Sequence, residues 1–215
     1  MNDLTYALED YIEQHTTPMD AVLEELYRET FLHQMNPRMM SGPTQGKFLQ
    51  LLCQMLKPKR ALEIGTYTGF ASICIARGMP ADSRLITIEA NEEYEGTIRK
   101  YLEKAEVDHQ VDLIIGDAQT VIPTLTDSFD LVYIDADKKS YPLYYELVKQ
   151  KVHEGSIILA DNVLWDGKVL NTSSKERDTQ ALIAFNQMVQ ADPAVENLIL
   201  PIRDGLMMIR VLKAL

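Results

Sequence analysis

In 215 residues the chain has two cysteines, four histidines and one tryptophan, and its 21 Lys and Arg are outnumbered by 32 Asp and Glu. Each scarcity excludes something. Cys53 and Cys74 lie among apolar neighbours with no Cys-x-x-Cys pair, so they build no disulfide framework and read as buried, reduced thiols. His15, His33, His109 and His153 have no Ser, Cys or acid at motif spacing, and surface or core roles are expected of them. A net charge of −11 repels phosphate, which argues against non-specific nucleic-acid binding and polybasic membrane attachment. The longest basic run, Lys57 to Arg60, is too short to reverse this. No stretch of about 18 apolar residues is present, so no spanning helix is expected. Met1-Asn2-Asp3-Leu4 has no basic stretch before an apolar one, so no secretory signal is read there and a cytoplasmic protein is expected.

What remains is ordinary globular composition, 46% hydrophobic and 25% charged, long enough to bury a sizeable core. There is no repeat, low-complexity segment or Gly/Ser-rich linker, so residues 1–215 read as a single domain. Apolar residues recur at helical spacing over 3–15 (Leu4, Leu8, Tyr11, Ile12) and 19–35 (Val22, Leu23, Leu26, Tyr27, Phe31), divided by Thr16-Thr17-Pro18. A third helix is expected over 44–56, stopped by Lys57-Pro58, and residues 1–56 thus form an N-terminal helical cap on a core of 57–215. From Arg60 the texture changes. Short apolar runs at Ala61–Ile64, Arg84–Ile88, Val111–Ile115, Phe129–Ile134 and Ser156–Ala160 alternate with helical stretches at 69–77, 91–105, 117–125 and 141–150. That alternation predicts a parallel sheet covered by helices on both faces. After a helix near 174–191, the runs Asn197–Arg203 and Leu206–Leu212 flank Asp204-Gly205, a hairpin signal. The expected fold is α/β, a doubly wound, Rossmann-like sheet of seven strands, mostly parallel with a C-terminal antiparallel hairpin.

Ligands of such sheets gather at the carboxyl ends of the strands. The first strand ends Leu62-Glu63-Ile64-Gly65-Thr66-Tyr67-Thr68-Gly69, a turn that is either a ligand loop or merely tight. A dinucleotide fingerprint would need glycine at 67 and 70, where Tyr67 and Phe70 stand. Glu63 before the turn disfavours a pyrophosphate and suits a ligand with an ammonium group. Glu89, 24 residues after Gly65, has the spacing of a carboxylate that binds a ribose diol. A nucleoside with a cationic amino-acid tail, such as S-adenosylmethionine, fits both. The fourth and fifth strands end in Asp135-Ala136-Asp137-Lys138-Lys139 and Asp161-Asn162. If these strands pair, Asp135, Asp161 and Asn162 offer oxygen atoms to one point, a set suited to Mg²⁺, with Mn²⁺ or Ca²⁺ as substitutes, and not to zinc. The competing reading is a capped turn and solvated loop charges.

The stretches Leu62–Phe70, Leu131–Lys138, Leu159–Gly167 and Leu200–Leu206, together and in this order, resemble the metal-dependent O-methyltransferases. That group includes catechol O-methyltransferase, caffeoyl-CoA O-methyltransferases and small bacterial relatives, and the resemblance runs from about Met39 onward. It implies a single class I methyltransferase domain, with metal ligands at Asp135, Asp161 and Asn162 and a catalytic lysine at Lys138. It implies cofactor contacts from Met40, Ser41, Glu63, Gly65, Thr66 and Tyr67, from Glu89 to the ribose, from Asp117 and Ala118 near the adenine, and from Asp135. Relatives have Ser where this chain has Ala71, so either Ser72 substitutes or backbone groups hold the cofactor carboxylate. Trp165 either walls an acceptor pocket or simply packs. The implied reaction moves the sulfonium methyl of S-adenosylmethionine to one hydroxyl of a vicinal diol on a small hydroxylated aromatic molecule. The implied assembly is a homodimer, with the helices before residue 36 over the acceptor site. Two other readings stand beside it: methylation of a hydroxylated uridine in tRNA, and a cofactor-binding module without catalysis.

Overall fold

The apolar runs become strands and the amphipathic stretches between them helices, in the expected order. A computed structural model describes residues 3–213. Met1, Asn2, Ala214 and Leu215 lie outside the described residues, as do the side chains of residues 3–6 and 9, Leu4 of the first helical pattern among them. The elements are α1 (Asp3–Gln14), α2 (Ala21–His33), α3 (Pro43–Leu56), β1 (Arg60–Ile64), α4 (Phe70–Gly78), β2 (Arg84–Glu89), α5 (Glu95–Lys104) and β3 (Val111–Ile115). They continue with α6 (Ala118–Thr124), β4 (Phe129–Ile134), α7 (Tyr141–Lys149), β5 (Val152–Ala160), α8 (Arg177–Ala191), β6 (Val195–Leu200) and β7 (Leu206–Val211).

The strands form one seven-stranded sheet in the order β3-β2-β1-β4-β5-β7-β6. Pairs among β1 to β5 are parallel, and β7 runs antiparallel to both β5 and β6. Alternate strand residues feed two separate cores, as a period of two requires. Ala61, Leu131, Tyr133, Ile157 and Leu159 pack with α2, α3, α4 and α5. Leu62, Ile64, Val132, Ile134 and Ile158 pack with α6, α7 and α8.

Two strand boundaries differ from expectation by three residues or more. The expected strand Asn197–Arg203 stops at Leu200, because Pro201 offers no N–H to the ladder and Arg203 lies at φ +50. The connection is therefore a five-residue loop, with Leu200 opposite Leu206, and not a tight Asp-Gly turn. β5 begins four residues early, at Val152, because an irregularity around Gly155 (φ +89) lets His153–Gly155 bulge out while Val152 still pairs with Phe129.

The N-terminal helices are fastened to the sheet layer. Asp20 caps α2 through the N–H groups of Val22 and Leu23, and the buried Tyr101 of α5 donates its hydroxyl to Glu29 of α2. α3 and α4 touch backbone to backbone: a Cβ at Gly78 would lie 2.4 Å from the Gln50 carbonyl oxygen. Gly78→Ala is therefore expected to cost about 1–3 kcal/mol in urea unfolding. Gly96→Ala, on α5 with nothing within 4 Å of the new methyl, serves as the control and should stabilise by about 0.5–1 kcal/mol. Equal effects at the two sites would contradict the close α3–α4 contact.

Both cysteines are free and buried, and burial pushes each thiol up to about 12. All four histidines are exposed. No helix among the described residues is long and apolar enough to cross a membrane.

Candidate active site

The carboxyl ends of β1, β2, β4 and β5 are brought level by hydrogen bonds that run one residue past the strands. Gly65 N–H reaches Ile88 O, Asp135 N–H reaches Ile64 O and Asp161 N–H reaches Ile134 O, each at 2.9 Å. The β4–β5 pairing thus sets Asp135 and Asp161 side by side, as the sequence reading required. Gly65 makes the crowding tolerable. At φ +96, a Cβ there would fall 2.1 Å from the Asp135 carbonyl oxygen, so no other residue fits without moving β4.

On the α3–α4 face, Thr87, Glu63 and Tyr133 stand in one row across β2, β1 and β4. Glu63 is fully buried. Its Oε2 accepts from Thr87 Oγ1 at 2.6 Å and from the buried Ser72 hydroxyl, and Thr66 Oγ1 extends the chain to Thr87 at 2.5 Å. Glu63 Oε1 is buried without a partner among the described residues. Ser72 is thus spent on Glu63 here. Glu89 accepts the N–H of Tyr67 at 2.7 Å and of Asn91 at 2.8 Å, which holds Tyr67 at φ +54. Asp117 is exposed and caps α6 through Gln119 N–H, and the adjacent Ala118 is buried.

The second cluster lies at the ends of β4 and β5. Tyr133 OH is 3.4 Å from both Asp135 Oδ2 and Asp161 Oδ2, so the two carboxylates converge on one phenol. Asn162 follows at φ +58, a left-handed conformation that asparagine tolerates better than most residues. Lys138 is nine-tenths buried. Its Nζ donates to Asp135 Oδ1 at 3.0 Å and to Tyr141 OH at 2.7 Å, and the Tyr141 hydroxyl donates to the Asp161 carbonyl oxygen at 2.9 Å. Two carboxylates with one buried lysine leave a negative surplus, and the donors are hard oxygens. That set fits a divalent cation of the Mg²⁺ kind. Among the described residues, no group of three or more His, Cys, Asp and Glu gathers to hold a metal, so the fit depends on the Asn162 amide as third donor.

Over this cluster lies the segment 36–42. Met40 and Ser41 are buried, and Ser41 Oγ is 3.2 Å from Tyr133 OH. Trp165, at φ +51, is half-buried and packs on the α6–α8 side. Three residues of the site were not singled out in the sequence: Tyr133, Tyr141 and Gln45. Tyr141, three residues after Lys138 and so one helical turn away, was the most accessible of them to pattern reading.

Burial, opposed by the Ser72 and Thr87 hydroxyls and reinforced by the charges of Asp135 and Glu89, raises the Glu63 carboxyl from 4.5 to about 8. Burial and the neighbouring Asp135 charge raise Asp161 from 3.8 to about 7. Both groups hold protons in the native chain that the unfolded chain has released, so stability falls as pH rises from about 4 to about 8. Above about pH 7 Glu63 carries most of the slope. Thermal melts of Glu63→Gln are expected to be flatter than wild type between about pH 7 and 8, and an unchanged slope would refute the assignment.

A model of the O-methyltransferase family matches residues 13–212. A catechol O-methyltransferase of Niastella koreensis is 39% identical over 168 residues, 76% of each chain. A probable caffeoyl-CoA O-methyltransferase of Dictyostelium discoideum is 31% identical and covers 96% of this chain and 90% of its own. Among solved structures, an O-methyltransferase from Bacillus cereus in complex with SAH matches with a TM-score of 0.88 and 32% identity, over 95% of this chain and 97% of that one. The O-methyltransferase TomG from Streptomyces achromogenes, in complex with SAM, matches with a TM-score of 0.91 and 27% identity, over 99% of this chain and all of that one.

Proposed function

This chain belongs to the O-methyltransferase family and is an S-adenosylmethionine-dependent enzyme, and on that premise we propose a small molecule with two adjacent hydroxyls on an aromatic ring as its acceptor. We propose further that Asp135, Asp161 and Asn162 hold a divalent cation and that Lys138, deprotonated when that cation and the cofactor's positive sulfonium are bound beside it, takes the proton of the reacting hydroxyl. The observation that carries this reading is the convergence of Asp135 and Asp161 on Tyr133 OH, beside a buried lysine.

The chemical difficulty is ionisation. A phenolic hydroxyl with a pKa of about 10 is ionised about one part in a thousand at pH 7, a deficit of roughly 4 kcal/mol. A divalent cation, when bound, supplies Lewis-acid stabilisation of the ionised oxygen. The chain's own residues do the rest. Glu63, with its unpartnered Oε1, receives the cofactor's ammonium group, and Glu89 receives the ribose hydroxyls while its present donors keep Tyr67 and Asn91 in place. Asp135 and Tyr141 hold the Lys138 Nζ near the reacting oxygen. Met40 and Ser41 exclude water from above. Holding oxygen, methyl carbon and sulfur in line is worth roughly 7–11 kcal/mol, so positioning contributes more than the base.

A homodimeric, cytoplasmic enzyme, with the segment before residue 36 over the acceptor, completes the proposal. The exposed Phe31, Leu32 and Met35 supply an apolar edge for that role. The acceptor class is tested by supplying methyl-labelled S-adenosylmethionine with catechols, caffeoyl thioesters or bulk tRNA. Label in a catechol or caffeoyl ester is the expected result. Label in tRNA alone would replace the small-molecule reading with RNA modification, and label in none would contradict the proposed acceptor class.

A further inference from the structure

Gln45, in the first turn of α3, is fully buried, and both ends of its amide are engaged. Its Nε2 donates to Asp161 Oδ2 and to Tyr133 OH, each at 2.8 Å. Its Oε1 accepts from Arg203 Nη1 at 3.4 Å. The orientation is fixed by chemistry: a guanidinium only donates, so the amide oxygen must face Arg203 and the NH₂ must face the carboxylate. The same Arg203 guanidinium donates to Met40 O at 3.1 Å and Arg38 O at 3.3 Å, in the segment above the site. Asp161 Oδ1 is meanwhile taken by Asn162 N–H at 2.8 Å, so Gln45 settles the remaining freedom of that carboxylate.

We infer that Gln45 is a positioning residue: through its amide it sets the orientation of Asp161 for cation binding and ties that orientation to the segment 38–40 over the cofactor. The inference rests on the proposed reading of Asp161 as a metal ligand. Glutamate at 45 would repel Asp161, and an apolar residue would leave its Oδ2 free to turn. A neutral double-ended group is what the junction between a carboxylate and a guanidinium requires. Partners that orient metal ligands in this way typically change metal affinity by 10- to 100-fold when removed.

The test is Mn²⁺ binding by calorimetry and electron paramagnetic resonance, without acceptor, to wild type, Gln45→Met and Gln45→Asn. Methionine matches the length of glutamine and donates nothing; asparagine keeps the amide but withdraws it by one methylene. Both variants are expected to bind Mn²⁺ at least about 10-fold more weakly, with S-adenosylmethionine affinity within about threefold of wild type. Lost methyl transfer should return at saturating Mn²⁺. Wild-type Mn²⁺ affinity in a folded variant would overturn the positioning role and leave the metal reading intact. Failure of the wild type to bind Mn²⁺ would overturn that reading and this inference with it. Unfolding of both variants would assign Gln45 a structural role and overturn the inference as well.

Discussion

Lys138→Met is expected to lower methyl transfer by about 10²- to 10⁴-fold, the usual range for loss of a positioned general base, with cofactor affinity within about threefold of wild type. Methionine retains most of the lysine stem, so the buried packing against Tyr141 survives. What disappears is the Nζ that links Asp135 Oδ1 to Tyr141 OH. Lys138→Arg separates two roles for that nitrogen. Arginine keeps the charge and the donors but does not give up a proton in a protein. If Lys138 is the base, the arginine variant is as inactive as the methionine variant. If the lysine only supplies positive charge, the arginine variant retains most of the rate. Transfer by Lys138→Met at more than about a tenth of the wild-type rate would refute the base assignment.

Asp161→Asn has the other large expected effect. Losing one of two ligand carboxylates removes a stabilisation of several kcal/mol, on the order of a 10³-fold loss of rate, together with metal binding. Stability moves the other way. Burial and the Asp135 charge raise the Asp161 carboxyl to about 7, so its ionisation opposes folding at higher pH. The sign follows from proton counting: between about pH 4 and 7 the native chain holds this proton and the unfolded chain does not, so the contribution declines as pH rises. Asparagine carries no such proton. Near pH 8 that relief outweighs the loss of one of the two acceptors facing Gln45 Nε2 and Asn162 N–H, about 1–3 kcal/mol, and the variant is expected to melt no lower than wild type without metal. An enzyme made inactive and no less stable by the same change marks a residue retained for chemistry. A marked loss of melting temperature would point to a structural carboxylate.

The parts of the molecule legible in the sequence were those with local patterns. β3 and β4 were placed to the residue, because each is a short apolar run flanked by polar or turn residues. The adjacency of Asp135 and Asp161 was legible because each follows a strand and the strand–helix alternation implies that β4 and β5 pair. The bulge at Gly155 and the early end of β6 were not, since the first depends on pairing with β4 and the second on Pro201 outweighing the apolar texture of Asn197–Arg203. Tyr133 looked like any inward strand residue and Gln45 like the polar side of an amphipathic helix. Their hydrogen bond joins residues 88 positions apart, and no window of sequence contains it. Ser72 and Asp117 were expected to meet a cofactor. Each also bonds within the chain, Ser72 to Glu63 across the α4–β1 contact and Asp117 to the α6 N-terminus, which leaves those roles as proposals.

The metal at Asp135, Asp161 and Asn162 is tested by the metal dependence of the transfer. Purified protein, stripped with a chelator and dialysed, is given methyl-labelled S-adenosylmethionine and a catechol, and label in the product is counted as Mg²⁺ is restored. Near-zero transfer is expected in the stripped protein, with recovery on Mg²⁺ or Mn²⁺ and none in Asp161→Asn. Equal transfer with and without chelator would contradict the proposed metal site.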